Sequence, residues 1–322
     1  MAVPVEHRQR NGVLAAFALL ALLAHASIPA RAETMIEGKP IRSWGYQLQN
    51  GSADVVARSP YDIAVIDYSK DSSDAGAFTS ADLDKMKRKP DGSRRYVLAY
   101  ISIGEAETYR YYWKQRGWED GRNRKPMVEN ENPEWLGNHS VKFWHNEWQD
   151  LILHDDDSYM NRIARAGFDG VYLDKVDIAD FYAGKTPPGT VASDLMIQFV
   201  RKISIVMKSR KPGFLIFPQN AQGLLEDDIY RAAIDGIGIE DLLHKDTPVE
   251  GPGSNVDGPR NGAAEIKESV DLLKKLVAEK KPVIVVEYLR NRASIDRAVS
   301  ELEGYGFVPY FGPRDLARLA LP

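Results

Sequence analysis

Short, almost wholly apolar runs recur between residues 44 and 311, and an amphipathic or polar stretch separates each from the next. Ile63-Ala64-Val65-Ile66 and Val283-Ile284-Val285-Val286 carry no polar residue on either face. Strands of this kind are covered on both sides, as in parallel sheets with helices packed against them. Strands are expected at 44–49, 63–68, 96–103, 141–144, 170–174, 214–218, 236–240, 283–288 and 307–311. Helices are expected at 80–88, 147–166, 191–209, 263–279 and 294–303. Strands and helices alternating over roughly 250 residues predict an α/β fold, a single (β/α)8 TIM barrel. Nine strands for eight places leave one peripheral, expected to be the first or the last. A doubly wound open sheet is the competing arrangement. Against it, no strand leads into a glycine-rich phosphate turn: Gly236-Ile237-Gly238 lacks a third glycine and runs into an acid.

The first residues read as an address. Arg8 and Arg10 precede an apolar run over 13–24, and Ala30-Arg31-Ala32 fits a small-x-small cleavage site. A run of that length is short for a membrane span and suits a signal peptide over residues 1–32, with the barrel domain occupying 33–322. The expected localisation is therefore secreted or periplasmic, with no membrane partner once the signal is removed. The 322 residues include no cysteine, which excludes disulfides, thiolate metal sites and a cysteine nucleophile. A formal charge of −4 argues against nucleic acid as a partner. A monomer is expected.

The ends of the strands carry the chemistry. Asp67 closes the second run, Glu105 and Glu107 follow the third, Asp174 closes the 170–174 run, Glu240 the 236–240 run and Glu287 the 283–287 run. In a barrel these ends share one rim, where active sites are built. Like charges held together and partly desolvated push one pKa up and leave another low. Glycoside cleavage needs that separation: one carboxylic acid protonates the leaving oxygen while a carboxylate attacks or activates water. Asp174 and Glu240 directly abut apolar strands and are the favoured pair. Asp67 and Asp177 suit helix caps equally well, and Glu287 equally suits an ion pair with Arg290. The long loops 108–140 and 245–262 belong on the same face.

Aromatic residues form a second pattern. All six tryptophans lie between Trp44 and Trp148, and flat rings beside a cleft offer an apolar platform to sugar faces. Around residues 109–118 a rim role is expected; Trp144 and Trp148, four apart, read as helix core. No G-x-S-x-G elbow, P-loop or H-E-x-x-H motif occurs. His139, His145 and His154 match no ligand spacing, so no metal and no cofactor are expected.

Trp44-Gly-Tyr-Gln-Leu-Gln49, Tyr100-Ile-Ser-Ile-Gly104-Glu-Ala-Glu107-x-Tyr109-Arg110-x-Tyr-Trp113 and Gly167-Phe-Asp-Gly-Val-Tyr-Leu-Asp174 together resemble glycoside hydrolase family 114, the endo-α-1,4-polygalactosaminidase-like barrels. The resemblance covers about residues 40–315. It implies a (β/α)8 barrel that cleaves α-1,4-linked galactosamine-containing polysaccharide without metal or cofactor. It places the catalytic pair on Asp174 and Glu240; analogy with other α-glycoside barrels makes Asp174 the nucleophile and Glu240 the acid/base, with the reverse split open. Asp67, Glu105, Glu107, Tyr109, Trp44, Asn220 and Glu287 are the expected substrate-binding residues, and a hexosamine-containing polysaccharide is the expected partner. One departure stands out: Trp144-His145-Asn146-Glu147-Trp148 occupies the place of an aromatic-Asp-Pro-Glu-Trp turn. Two other classes stay open, a carbohydrate-binding barrel without catalysis and a metal-dependent polysaccharide deacetylase.

Overall fold

The computed structural model describes Met1 and residues 33–121, 125–246 and 256–320. The expected signal peptide and the centre of the 245–262 loop lie outside the described residues. Eight parallel strands form the centre: β1 (Trp44–Gln47), β2 (Ile63–Asp67), β3 (Tyr96–Ser102), β4 (Gly170–Asp174), β5 (Leu215–Pro218), β6 (Ile237–Glu240), β7 (Val283–Glu287) and β8 (Val308–Phe311). Ladders join β1 through β5 in chain order and β6 through β8 likewise. The bridge Gln219↔Gly238 links the two groups. This is the TIM barrel, in the expected strand order.

Seven helices connect the eight strands: α1 (Ala53–Arg58), α2 (Ser80–Met86), α3 (Tyr159–Ala166), α4 (Ala192–Arg210), α5 (Asp228–Ala233), α6 (Ala263–Ala278) and α7 (Arg292–Gly304). Their starts follow from side-chain chemistry. Thr79 and Asp82 bond each other's backbone N–H in a capping box at α2, and the Ser158 hydroxyl accepts from Asn161 N–H at α3. Gly167, at φ 109°, ends α3 in a conformation that favours glycine. The expected helix 147–166 is in fact broken. A turn of α-helix, Asn146–Gln149, and a π-turn, Asp150–His154, come first. The Asp155-Asp156-Asp157-Ser158 run then interrupts the helix before α3.

Alternation along the strands sorts their side chains into two cores. Val97, Ala99, Val171, Leu173, Val283 and Val285 pack outward among the helices. Trp44, Tyr46, Ile63, Val65, Leu98, Tyr100, Tyr172, Phe217, Ile284 and Val286 fill the interior. Glycine makes the interior fit: a Cβ on Gly238 would lie 2.0 Å from the Tyr172 hydroxyl oxygen.

The peripheral strand is neither the first nor the last. Residues 138–141, beside the expected 141–144 strand, belong to an inserted antiparallel sheet in which Asn138–Val141 lies between Glu105–Glu107 and Val128–Glu131. Tyr112, Trp113, Trp118, Phe143 and Trp148 are buried in the core beneath this insertion. That corrects the expectation of a rim for residues 109–118: these rings pack inward, and Tyr109, 45% exposed, alone of the three tyrosines faces the mouth.

No ladder joins β8 to β1 among the described residues. Trp44 Nε1 donates to Val308 O at 3.0 Å, and the Tyr310 hydroxyl donates to Tyr46 O at 3.2 Å. Residues 312–320 run back across this seam in extended and turn conformation. Leu48 and Gln49 N–H donate to Leu316 O, the Tyr61 hydroxyl donates to Ala320 O, and Leu319 presses against Gly45. No described helix is long and apolar enough to cross a membrane.

Candidate active site

One inward-facing residue at or near the C-terminal end of each strand follows from the parity of its interior positions. These residues are Tyr46, Asp67, Tyr100, Asp174, Gln219, Glu240, Tyr288 and Tyr310 in chain order. Six of them line one cavity of about 670 Å³ at the C-terminal mouth: Tyr46, Asp67, Tyr100, Asp174, Gln219 and Glu240. A smaller cavity of about 460 Å³ lies under the inserted sheet, and Lys175 and Asp177 line both.

Asp174 accepts from the Tyr100 hydroxyl at 2.6 Å and from Lys175 N–H at 2.7 Å. Burial raises its pKa; the Tyr100 hydroxyl and the Lys175 charge work in the opposite direction. Glu240 accepts from Gln219 Nε2 at 2.5 Å and from the Tyr288 hydroxyl. Gln219 in turn accepts from the Tyr46 hydroxyl at 3.3 Å, so its amide is held from both ends. Burial and then the Asp174 charge push Glu240 up to about 7, against the pull of Tyr288 and Arg314. At neutral pH the cavity thus holds one carboxyl close to half protonation beside another that several donors favour as carboxylate.

The other expected site residues separate into groups. Asn220 lines the cavity and its Oδ1 accepts Glu240 N–H at 3.1 Å, fixing the strand end rather than offering that oxygen outward. Tyr109 lines the cavity with its hydroxyl on Glu107 at 2.6 Å. Asp67 reaches the cavity wall, but Arg110 binds it and Glu107 together: Arg110 Nη2 lies 2.8 Å from Asp67, and its Nε lies 2.7 Å from Glu107. The guanidinium bridges the two carboxylates and offsets one of their charges. Glu105 faces the smaller cavity and holds Lys175 Nζ at 3.3 Å.

Three of the expected substrate-binding residues, Trp44, Glu107 and Glu287, lie off the cavity surface, and Glu107 is fully buried on Arg110. Trp44 points inward one layer too deep and is fully buried against Tyr46 and Tyr172. Glu287 shares the parity of Val283 and Val285, away from the interior. Its carboxylate is fully buried and accepts the N–H groups of Leu243, at 2.6 Å, and His244, at 3.1 Å. It therefore pins the loop after β6. Asp177 precedes the short helix Ile178–Phe181 but makes no capping bond with its side chain.

Sequence reasoning missed Tyr100, Gln219, Tyr288, Lys175, Arg314 and Trp135. The first three follow from parity counted from the apolar positions. Trp135 is 42% exposed at the insertion's tip, and the Arg314 guanidinium sits 4.8 Å from its ring and 5.4 Å from that of Tyr288. Among the described residues, no group of three His, Asp or Glu side chains could hold a metal ion.

An unequal carboxyl pair at the mouth of a TIM barrel is the equipment of acetal cleavage, and fold and site together define a glycoside hydrolase. Residues 25–320 match the sequence profile of glycoside-hydrolase family GH114, and the chain belongs to that family. An uncharacterized protein of Methanocaldococcus jannaschii is 34% identical over 284 residues, covering 84% of this chain and 75% of its own. Another, from Thermotoga maritima, is 32% identical over 86% of this chain and 82% of its own. The glycoside hydrolase domain of PelA from Pseudomonas aeruginosa shares the fold at TM-score 0.60 and 16% identity, over 86% of this chain and 96% of that one. Aspergillus fumigatus Ega3, solved in complex with galactosamine, does so at TM-score 0.61 and 16% identity, over 90% and 99%.

Proposed function

We propose that the protein is a secreted, retaining endo-glycosidase that cleaves α-1,4-linked galactosamine-containing polysaccharide. The observation that carries this reading is the pair of strand-end carboxyls held at one mouth, one raised to about 7 and the other bonded by the Tyr100 hydroxyl and the Lys175 N–H. Glu240, at about 7, keeps a proton to deliver at neutral pH. Asp174, with donors from Tyr100 and Lys175, is the readier carboxylate. Glu240 protonates the glycosidic oxygen as the Asp174 carboxylate attacks the anomeric carbon, giving a glycosyl ester and releasing the leaving chain. Glu240, now ionised, takes a proton from water, whose oxygen displaces Asp174 and restores both groups. The choice of polymer rests on family membership and on Ega3's galactosamine complex, and residues 1–32 supply the export signal.

The test is digestion of partly deacetylated α-1,4-galactosaminan by the wild type and Asp174→Asn, with products read by mass spectrometry and anomeric configuration by NMR. Oligomers of retained configuration from the wild type alone are expected. Equal turnover by the Asn variant removes Asp174 from its role. Inverted product removes the covalent step.

A further inference from the structure

Asp177 is the carboxylate at the junction of the two cavities, and nothing in the mechanism above uses it. Its position before Ile178–Phe181 suggests a helix cap, yet its side chain makes no capping bond. Every other carboxylate lining either cavity accepts a hydrogen bond from another residue. Asp174 has Tyr100, Glu105 has Asn132, Glu129 has Tyr182, and Glu131 has the Gly137 N–H. The nearby cation does not serve Asp177 directly, because Lys175 Nζ is bound to Glu105 at 3.3 Å. Burial, followed by the Asp174 charge, lifts Asp177 to about 6, so at neutral pH it is mainly ionised and short of a donor.

We infer that Asp177 is a specificity-determining residue that binds the free 2-ammonium group of a hexosamine unit where the two cavities meet, making them one continuous cleft. A ligand ammonium supplies the hydrogen-bond donors that no described residue gives Asp177, and a second positive charge beside that of Lys175, which Glu105 shares. An N-acetylated unit has an N–H but no charge, and it leaves the carboxylate with only the Lys175 charge that Glu105 already binds. The cleft therefore distinguishes deacetylated from acetylated sugar at this position. The inference rests on the proposed reading of the protein as a galactosaminan hydrolase.

The experiment compares the wild type with Asp177→Asn on two polymers, fully deacetylated and fully N-acetylated α-1,4-galactosaminan, reading kcat/KM for each. Asparagine keeps the shape and removes the charge, and the bare cap position costs no helix bond. A charge-assisted hydrogen bond of this kind is worth about 10- to 100-fold in binding. The expected result is a loss of that size on the deacetylated polymer with KM carrying most of it, and less than about 3-fold change on the acetylated one. Partial recovery on the deacetylated polymer by Asp177→Glu is expected as well. An unchanged ratio between the polymers overturns the inference while leaving the hydrolase reading intact. Equal losses on both polymers also overturn it, because a merely structural role would act on both. If the wild type cleaves neither polymer, the hydrolase reading falls and the inference falls with it.

Discussion

Glu240→Gln should make the protein more stable in neutral and mildly alkaline solution, and the gain should give way to a small loss in acid. The carboxyl's pKa stands at about 7 in the folded chain against an ordinary 4.5, mainly through burial and then through the Asp174 charge. A raised carboxylate pKa means that the folded state holds a proton the unfolded chain has lost. Stability therefore falls as pH climbs from about 4.5 to about 7 and stays at the lower level above that. The rise from 4.5 to about 7 corresponds to about 3 kcal/mol. The amide removes this penalty but offers one acceptor where the carboxylate offered two. Either Gln219 turns its amide, disturbing the bond from Tyr46, or Tyr288 turns its hydroxyl. That rearrangement costs about 1 kcal/mol. The net expectation is about 2 kcal/mol of added stability at pH 8 and about 1 kcal/mol of lost stability at pH 4. Urea unfolding of both proteins at half-unit steps of pH measures it. A difference that stays flat across pH, or one that is largest in acid, would refute the claim that burial holds a proton on Glu240.

Tyr288→Phe removes a donor that favours the ionised form of Glu240, so the alkaline limb of kcat/KM, expected near pH 7, should move upward by about 1 unit; a limb that stays put or moves down contradicts Glu240 as the acid. Arg110→Met leaves Asp67 and Glu107 buried without their shared counter-ion, which should cost about 3–5 kcal/mol in denaturant titration, and Arg110→Lys should not restore it because one ammonium cannot span both carboxylates.

Much of the architecture is legible in the sequence because burial on both faces writes itself as unbroken apolar runs. The strands ending at Asp67, Asp174, Glu240 and Glu287 are all of this type. The 141–144 segment misleads because Val141 and Phe143 alternate as strand residues do, although Val141 ends the middle strand of the inserted sheet and Phe143 lies past it in the core. The long helix at 147–166 misleads because its apolar period continues across Asp155–Ser158, where side chains that favour turns win over periodicity. At the site, a strand-end acid is informative only together with its parity. Asp67, Asp174 and Glu240 share the inward face with Val65, Tyr172 and Gly238, whereas Glu287 shares the outward face with Val285. Trp135 and Arg314 were out of reach, since only the folded chain brings residues so far apart in sequence over the same opening.

The seam between β1 and β8 bears on how the chain is made. A sheet edge left open is a template for pairing with other chains, and β1 is among the first parts of the barrel to be synthesised. Its covering, residues 312–320, follows β8 and is made after every strand of the barrel. Until then the growing polypeptide carries an unsealed flank. The Tyr46 edge is bonded by Tyr310 only once β8 has been made.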